Sequence, residues 1–386
     1  MAGPSEDEIE HASALQEAAK TEPSSVDVDD VVDLLVDGDQ QTRSIAFEAF
    51  TELAAVRSAA VDATVARLEE HLTTDVTDIR RRAVLTTEAL VERHPEPFER
   101  VVPELRAIAD DRSTPGREPA ILALAKLALE RPTAVVPAVD SLLAICHEPV
   151  IPVDDSTPDG IPDAGPHRGA ALKQERKNRD EVRVHAIAGL TRIAAADPAT
   201  IRGSVSDVAD LLEDDNTLVR AGACEVLEAI ALEFPREVEP FVSALATRIA
   251  SDGKHPVPWR AADTLVAVGD ACPERVGHAV APIVDDLSKF VESRNAERRT
   301  NGITLLADAA NAQPKAVESM IPKLRARLED DDPSVRANAA LALGFAGDVT
   351  AYATIAELAE SDPNADVRDA ADRSLDRLRR TEATDG

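Results

Sequence analysis

The chain has 386 residues, of which 72 are acidic and 42 basic, giving a formal net charge of -30. With 7 Phe, 1 Tyr and 1 Trp, its core must be built from Ala, Val, Leu and Ile, which suits closely approaching helix pairs better than a large sandwich or barrel. Cys146, Cys224 and Cys272 are odd in number and widely spaced, so they indicate neither a disulfide framework nor a zinc site, and they read as small buried apolar residues.

The N-terminal segment, residues 1–26, is acidic. Residues 1–40 hold 12 carboxylates and one Lys. Within them, SEDE (5–8) reads as a capping box opening a short helix with Ile9, Ala12 and Leu15 on one face, and TEPSSVDVDD reads as a linker. The segment has neither a basic leader nor an apolar h-region, and no apolar run in the chain reaches about 18 residues. A soluble, cytoplasmic protein without a membrane partner is the expectation.

From residue 27 one pattern recurs: a polar, Asp-rich turn, an apolar residue, an Arg, then a helix with apolar or small residues at helical spacing. The anchors are Arg43, Arg80, Arg117, Arg183, Arg220, Arg260, Arg299, Arg336 and Arg368, spaced by 37, 37, 66, 37, 40, 39, 37 and 32 residues. Positions four, seven and ten after the anchor are mostly apolar, as in Phe47, Phe50 and Leu53 or Ile121, Leu124 and Leu127. A second amphipathic stretch lies between anchors, for example AVDATVARLEEHL (60–72) or VESMIPKLRARL (317–328). Each unit is therefore a pair of antiparallel helices, A then B, that buries its apolar face only by stacking on its neighbours.

This pattern, clearest in DDDPSVRANAALALG (330–344), resembles the HEAT-repeat family over roughly residues 27–380, with a period slightly shorter than usual. The resemblance implies an all-α superhelix, a solenoid of about nine HEAT-like helix pairs. It also implies that the turn Asp and anchor Arg form a hydrogen-bonded ladder between neighbours, so that Arg43, Arg183, Arg220 and Arg336 are structural. B helices line the inner surface in that family. The composition, with Arg outnumbering Lys 34 to 8 on an acidic background, in turn resembles proteins of extremely salt-loving archaea.

The organisation expected is repeats over 27–147, an insertion at 148–180, repeats again over 181–380, and a polar tail at 381–386. The insertion accounts for the spacing of 66. Its first half carries five Pro and two Gly, which exclude a helix there. Its second half turns basic: residues 164–194 hold Arg168, Lys173, Arg176, Lys177, Arg179, Arg183 and Arg192 against three acids. That segment either grips an acidic partner or pairs with the chain's own carboxylates. The turn 251–260 is also long and carries Trp259, where other units place Val before the anchor, so Trp259 is either a core plug or an exposed aromatic contact. Both long turns belong to the A–B edge, the expected place of partner contact.

No catalytic constellation is present: there is no P-loop, no GxGxxG after a strand, no GxSxG and no HExxH, and the eight His are scattered. No cofactor, metal ligand or catalytic residue is expected. The candidate partner-binding residues are Arg81, Arg82, Lys126, Lys173, Arg176, Lys177, Arg179, His185, Arg192 and Trp259, with the basic ones forming one positive patch over units two to four. The first reading is a non-catalytic scaffold for protein–protein interaction. A nucleic-acid-associated factor using 164–194 and Arg80–Arg82 is the alternative, and a HEAT-like lyase or DNA glycosylase comes third.

Overall fold

The structure is a computed structural model and describes residues 6–148, 166–253 and 256–385, with side chains at all of these except 6, 58, 166–173, 175, 176 and 381–385. Every regular element among the described residues is helical. The chain divides into two compact bodies, Met1–Asp197 and Pro198–Gly386.

In the N-terminal body the anchors open the B helices Gln40–Val56, Thr77–Val91 and Arg117–Glu130 and fall inside the longer helix Pro166–Ala196. The first three pair with A helices at Val28–Asp37, Ser58–Leu72 and Val102–Asp110, and the fourth with Val139–Cys146. The helix Glu6–Thr21 packs on Gln40–Val56, with Ala12 and Ala19 buried, and so occupies the place of a preceding B helix. The segment after it is no loose linker. A 3-10 turn at Pro23–Ser25 and an Asp27 N-cap lead straight into the first A helix, and Arg57 clamps the turn by donating to the carbonyls of Pro23 (2.7 Å) and Val26 (3.0 Å).

The C-terminal body repeats the scheme in the B helices Thr217–Glu233, Val257–Gly269, Ala296–Ala312, Pro333–Ala346 and Ala365–Asp385. With the four in the first body, the described residues hold nine A–B pairs, as the anchor count predicts. The A helices are broken into 3-10 and α pieces. Pro103, Pro137, Pro240, Pro282 and Pro322 each sit at the start of a new piece, where the missing N–H costs no intrahelical bond.

Several B helices start where a polar side chain caps them. Asn216 accepts from the amide of Leu218 (2.9 Å), Asn295 from that of Arg298 (3.0 Å), Asp332 from Ser334 and Val335, and Asn364 from Asp366 (2.8 Å) and Val367. Replacing Asn364 by Ala is expected to cost about 1 kcal/mol, read as a small fall in the unfolding midpoint of the last repeat.

The anchor arginines stitch repeats together, in the manner the family resemblance implies. Arg220, Arg299 and Arg336 each reach back to two carbonyls of their own turn and forward to the first Asp of a following turn. Arg336 donates to the carbonyls of Asp330 (2.8 Å) and Asp331 (3.2 Å) and, with both ends of its fork, to Asp362 (2.8 and 3.0 Å). Arg299 meets Asp330 at 2.7 Å and Arg220 meets Asp252 at 2.9 Å. The receiving carboxylates of Asp252, Asp330 and Asp362 are buried.

Of the four anchors expected to be structural, two depart from this pattern. Arg183 is buried and spends its fork on the carbonyl of Cys146, at 3.0 and 2.8 Å, so it ties the A and B helices of its own pair. Arg43 makes no such side-chain contact among the described residues.

Trp259 is 9% exposed, packed edge-on against Phe290 at 4.1 Å, with the Arg298 guanidinium 4.4 Å over its ring. It plugs the core of the C-terminal body and presents no aromatic contact surface. Close approach is needed beside it too: a Cβ on Gly302 would sit 2.5 Å from the Cβ of Phe290.

Candidate functional site

Three elements of the N-terminal body enclose a cleft of about 640 Å³: the second B helix at Arg81, the turn and helix start at 112–119, and the fourth pair at Ile145, Glu148, Arg179, Val182 and Arg183. The turn before Arg117 is built by Asp111. Its carboxylate accepts from the amide (2.9 Å) and hydroxyl (2.7 Å) of Ser113 and from the hydroxyl of Thr114. These hydrogen bonds, that of Thr114 first, hold the Asp111 carboxyl at about 2, well below the ordinary carboxylate range.

The turn closes on Gly116, whose φ of 101° is the left-handed region that glycine enters without strain. A Cβ there would lie 3.4 Å from the Cα of Arg81. The left-handed glycine thus seats the third turn directly on the second B helix and forms one wall of the cleft.

Five arginines converge here against two glutamates, a local excess of +3 in a chain of net -30. They fall into two kinds. Arg117 and Arg183 are wall. Arg117 donates to the Ala109 carbonyl (2.8 Å) and grips both oxygens of Glu148 (3.0 and 2.7 Å), while Arg183 is held on Cys146. Arg81, Arg112 and Arg179 stand at the mouth. Arg112 has a side chain 76% exposed and a single contact to Glu148 at 3.5 Å, and Arg81 is exposed and makes no ion pair among the described residues.

Among the described residues, the other expected site residues are dispersed and do not gather into a single positive patch over units two to four. The Arg80–Arg82 run divides three ways around its helix. Arg80 donates to its own turn at the Thr74 carbonyl (3.0 Å), Arg82 bridges to the carbonyls of Val36 (3.4 Å) and Asp37 (3.0 Å), and only Arg81 faces the cleft. Lys126 is half-buried between Glu88 (2.6 Å) and Glu92 (3.4 Å), and neighbouring carboxylates raise its pKa even though burial opposes this. Arg192 donates to the Leu129 carbonyl at 3.3 Å, and His185 is half-buried. Lys177 is exposed, well up the same long helix that carries Arg179. Lys173 and Arg176 belong to that helix, but their side chains lie outside the described residues, as does the first half of the insertion. The expected boundary at 180/181 falls inside the helix, which runs without a break from Pro166 to Ala196.

Arg112 and Arg117 are the cleft residues that sequence reasoning missed as a pair. The signal was the long third turn, DDRSTPGR (110–117), whose Pro-Gly step brings Gly116 back onto Arg81 and leaves Arg112 lining the same cleft. No group of three His, Cys, Asp or Glu among the described residues is placed to hold a metal ion. None of the described helices is long and apolar enough to cross a membrane.

The model of HEAT repeats matches residues 284–376, the stretch that includes the last three B helices and the Arg299–Asp330 and Arg336–Asp362 steps. The same helix pair and the same anchor recur through both bodies. Residues 284–376 are HEAT repeats.

An engineered protein solved by a structural genomics consortium has the same solenoid fold, with a TM-score of 0.65 over 98% of this chain and 97% of its own at 19% identity. Kap121p gives a partial superposition, with a TM-score of 0.40 and 16% identity over 98% of this chain, which spans 46% of the length of Kap121p. No curated protein sequence matches this chain.

Proposed function

We propose that this chain is a non-catalytic HEAT-repeat scaffold that binds a protein partner, and that the arginine-lined cleft of repeats two to four is its seat. The observation that carries this reading is the convergence of Arg81, Arg112 and Arg179 on one cleft, in a chain of net charge -30. Solenoids offer extended shallow surfaces on which a few well-placed side chains set specificity. Arginine is suited to this because its planar fork pairs bidentately with carboxylates, as Arg117 already does with Glu148. A nucleic-acid reading is less favoured, because Arg80, Arg82 and Lys126 are committed to internal contacts and the described residues leave no continuous basic stripe for a phosphate backbone.

Crosslinking of the tagged chain in its native host, followed by mass spectrometry, tests the reading. A defined protein set should be recovered with the wild type and lost with Arg81→Glu/Arg112→Glu. An identical set from both would sink it, as would recovery of nucleic acid in place of protein. Arg373→Ala, which breaks an exposed ion pair with Asp369 in the C-terminal body, serves as the control and is expected to keep the set and to change stability by less than about 1 kcal/mol.

A further inference from the structure

The cleft opens onto a short apolar track on the B-helix surface. On the second B helix, Arg81 is followed one turn later by Leu85, exposed at 37%, and by exposed Ala89. On the third, exposed Glu118 is followed by Leu122 and Lys126, both half-buried. The Lys126–Glu88 bond at 2.6 Å holds the two helices side by side, and Arg81 and Glu118 line the same cleft, so that Leu85 and Leu122 each lie one turn further along their own helix. The track therefore reads, from the cleft outward, as a guanidinium pair, then two leucines, then a closed ion pair. One helical turn, about 5–6 Å, separates the guanidinium step from the leucine step.

We infer that this surface recognises a short acidic–apolar peptide segment: a carboxylate held by Arg81 and Arg112, with an apolar side chain one turn further on, resting on Leu85 and Leu122. This rests on the protein-binding reading above and names the chemistry of the partner. Glu148 displays the expected pairing from within the chain, since its carboxylate already lies against Arg117 and Arg112. A polyanion is a poor occupant, because after the first anionic group it would run over Glu118, Glu88 and Glu92. A lone carboxylate followed by hydrocarbon meets arginine first and leucine second, which is the order of the surface.

The binding should also respond to salt in a particular way. Long-range repulsion from a chain of net -30 opposes an acidic peptide at low ionic strength. Salt removes that repulsion over a Debye length of about 10 Å at 0.1 M, while contacts at hydrogen-bond distance and apolar burial persist. Affinity should therefore hold or rise with moderate salt, whereas affinity carried by phosphate contacts falls steeply.

The experiment is fluorescence anisotropy on the full chain with labelled probes. These are a peptide with a single Glu followed by Leu, its Gln counterpart, and a single-stranded oligonucleotide. The first should bind and the second should bind at least about tenfold more weakly, a difference set by two charge-assisted pairs. Arg81→Ala/Arg112→Ala should weaken the first probe by a similar factor, Leu85→Ser should weaken it several-fold, and Glu118→Gln should tighten it, with circular dichroism showing each variant folded.

Equal binding of the two peptides would overturn the inference, as would tighter binding of the oligonucleotide through the same arginines, or no binding of the acidic peptide. If the peptide fails while the crosslinked partner set still depends on Arg81 and Arg112, the peptide chemistry is wrong and the scaffold reading stands. If the partner set is indifferent to those residues, the scaffold seat itself is wrong.

Discussion

Replacing Arg336 by Ala should destabilise the C-terminal body by about 3–5 kcal/mol, the cost of stripping one partner from a buried ion pair. Arg336 makes four hydrogen bonds that join two consecutive turns, and its removal leaves the Asp362 carboxylate buried without a counter-ion. Asp362→Ala in the Arg336→Ala background should then cost little more, because the second change removes the stranded charge. The two effects are coupled and will not add. Arg336→Lys should fall between wild type and Arg336→Ala, since an ammonium keeps the charge but cannot span both Asp362 oxygens and two carbonyls.

Chemical unfolding followed by circular dichroism gives the magnitudes, and amide exchange localises the loss to the last two repeats if solenoid coupling is nearest-neighbour. Additive single-mutant costs would show that the ladder is a set of independent surface pairs. The ladder also fixes behaviour in acid. The Arg336 hydrogen bond, chiefly, holds the Asp362 carboxyl below its usual value of 3.8. Its contribution is therefore present above about pH 4 and is lost as pH falls through the lowered native value.

The repeats were legible because each unit repeats the same local physics. An Asp or Asn that caps the B helix, an apolar residue and an Arg that finds the next turn together give a period readable without any structure. The A helices were legible only as amphipathic stretches. Their breaks fall at prolines that open each new piece, and a proline in the sequence does not by itself say whether a helix stops or restarts there. The site was harder to read because surface charge in a single sequence does not say which way a side chain points. Arg80, Arg81 and Arg82 are adjacent in sequence but about 100° apart around the helix, and each has a different fate. The cleft depends on Gly116 entering the left-handed region, and the Pro115–Gly116 step marks a turn without saying that it folds back onto Arg81.

A second large effect should appear at the opposite end of the pH scale, at Asp308 on the B helix Ala296–Ala312. Its Oδ2 is buried without a hydrogen-bond partner among the described residues, and it lies so near Gly269 that a Cβ there would be 2.9 Å away. Burial, reinforced by the nearby Asp270 charge, pushes its pKa up from 3.8 to about 7. Between those values the native protein holds a proton that the unfolded chain has lost. Stability from this group is therefore greatest below about pH 4, declines as pH rises toward 7, and is flat above. Integrated over that window the loss is on the order of 4 kcal/mol at pH 8.

Asp308→Asn keeps the shape and removes the charge. It should raise the unfolding temperature at pH 8 and flatten the descent between pH 5 and pH 8, leaving the smaller share of Glu228, which burial raises to about 7 in the same body. A calorimetric pH series on both proteins is decisive: an unchanged slope, or an Asn variant weaker at pH 8, would mean that the carboxylate is solvated in the native state. Together with the acid limb set by the Asp–Arg ladder, a buried carboxylate of this kind places the stability maximum at mildly acidic pH, where the ladder is fully ionised and Asp308 is still protonated.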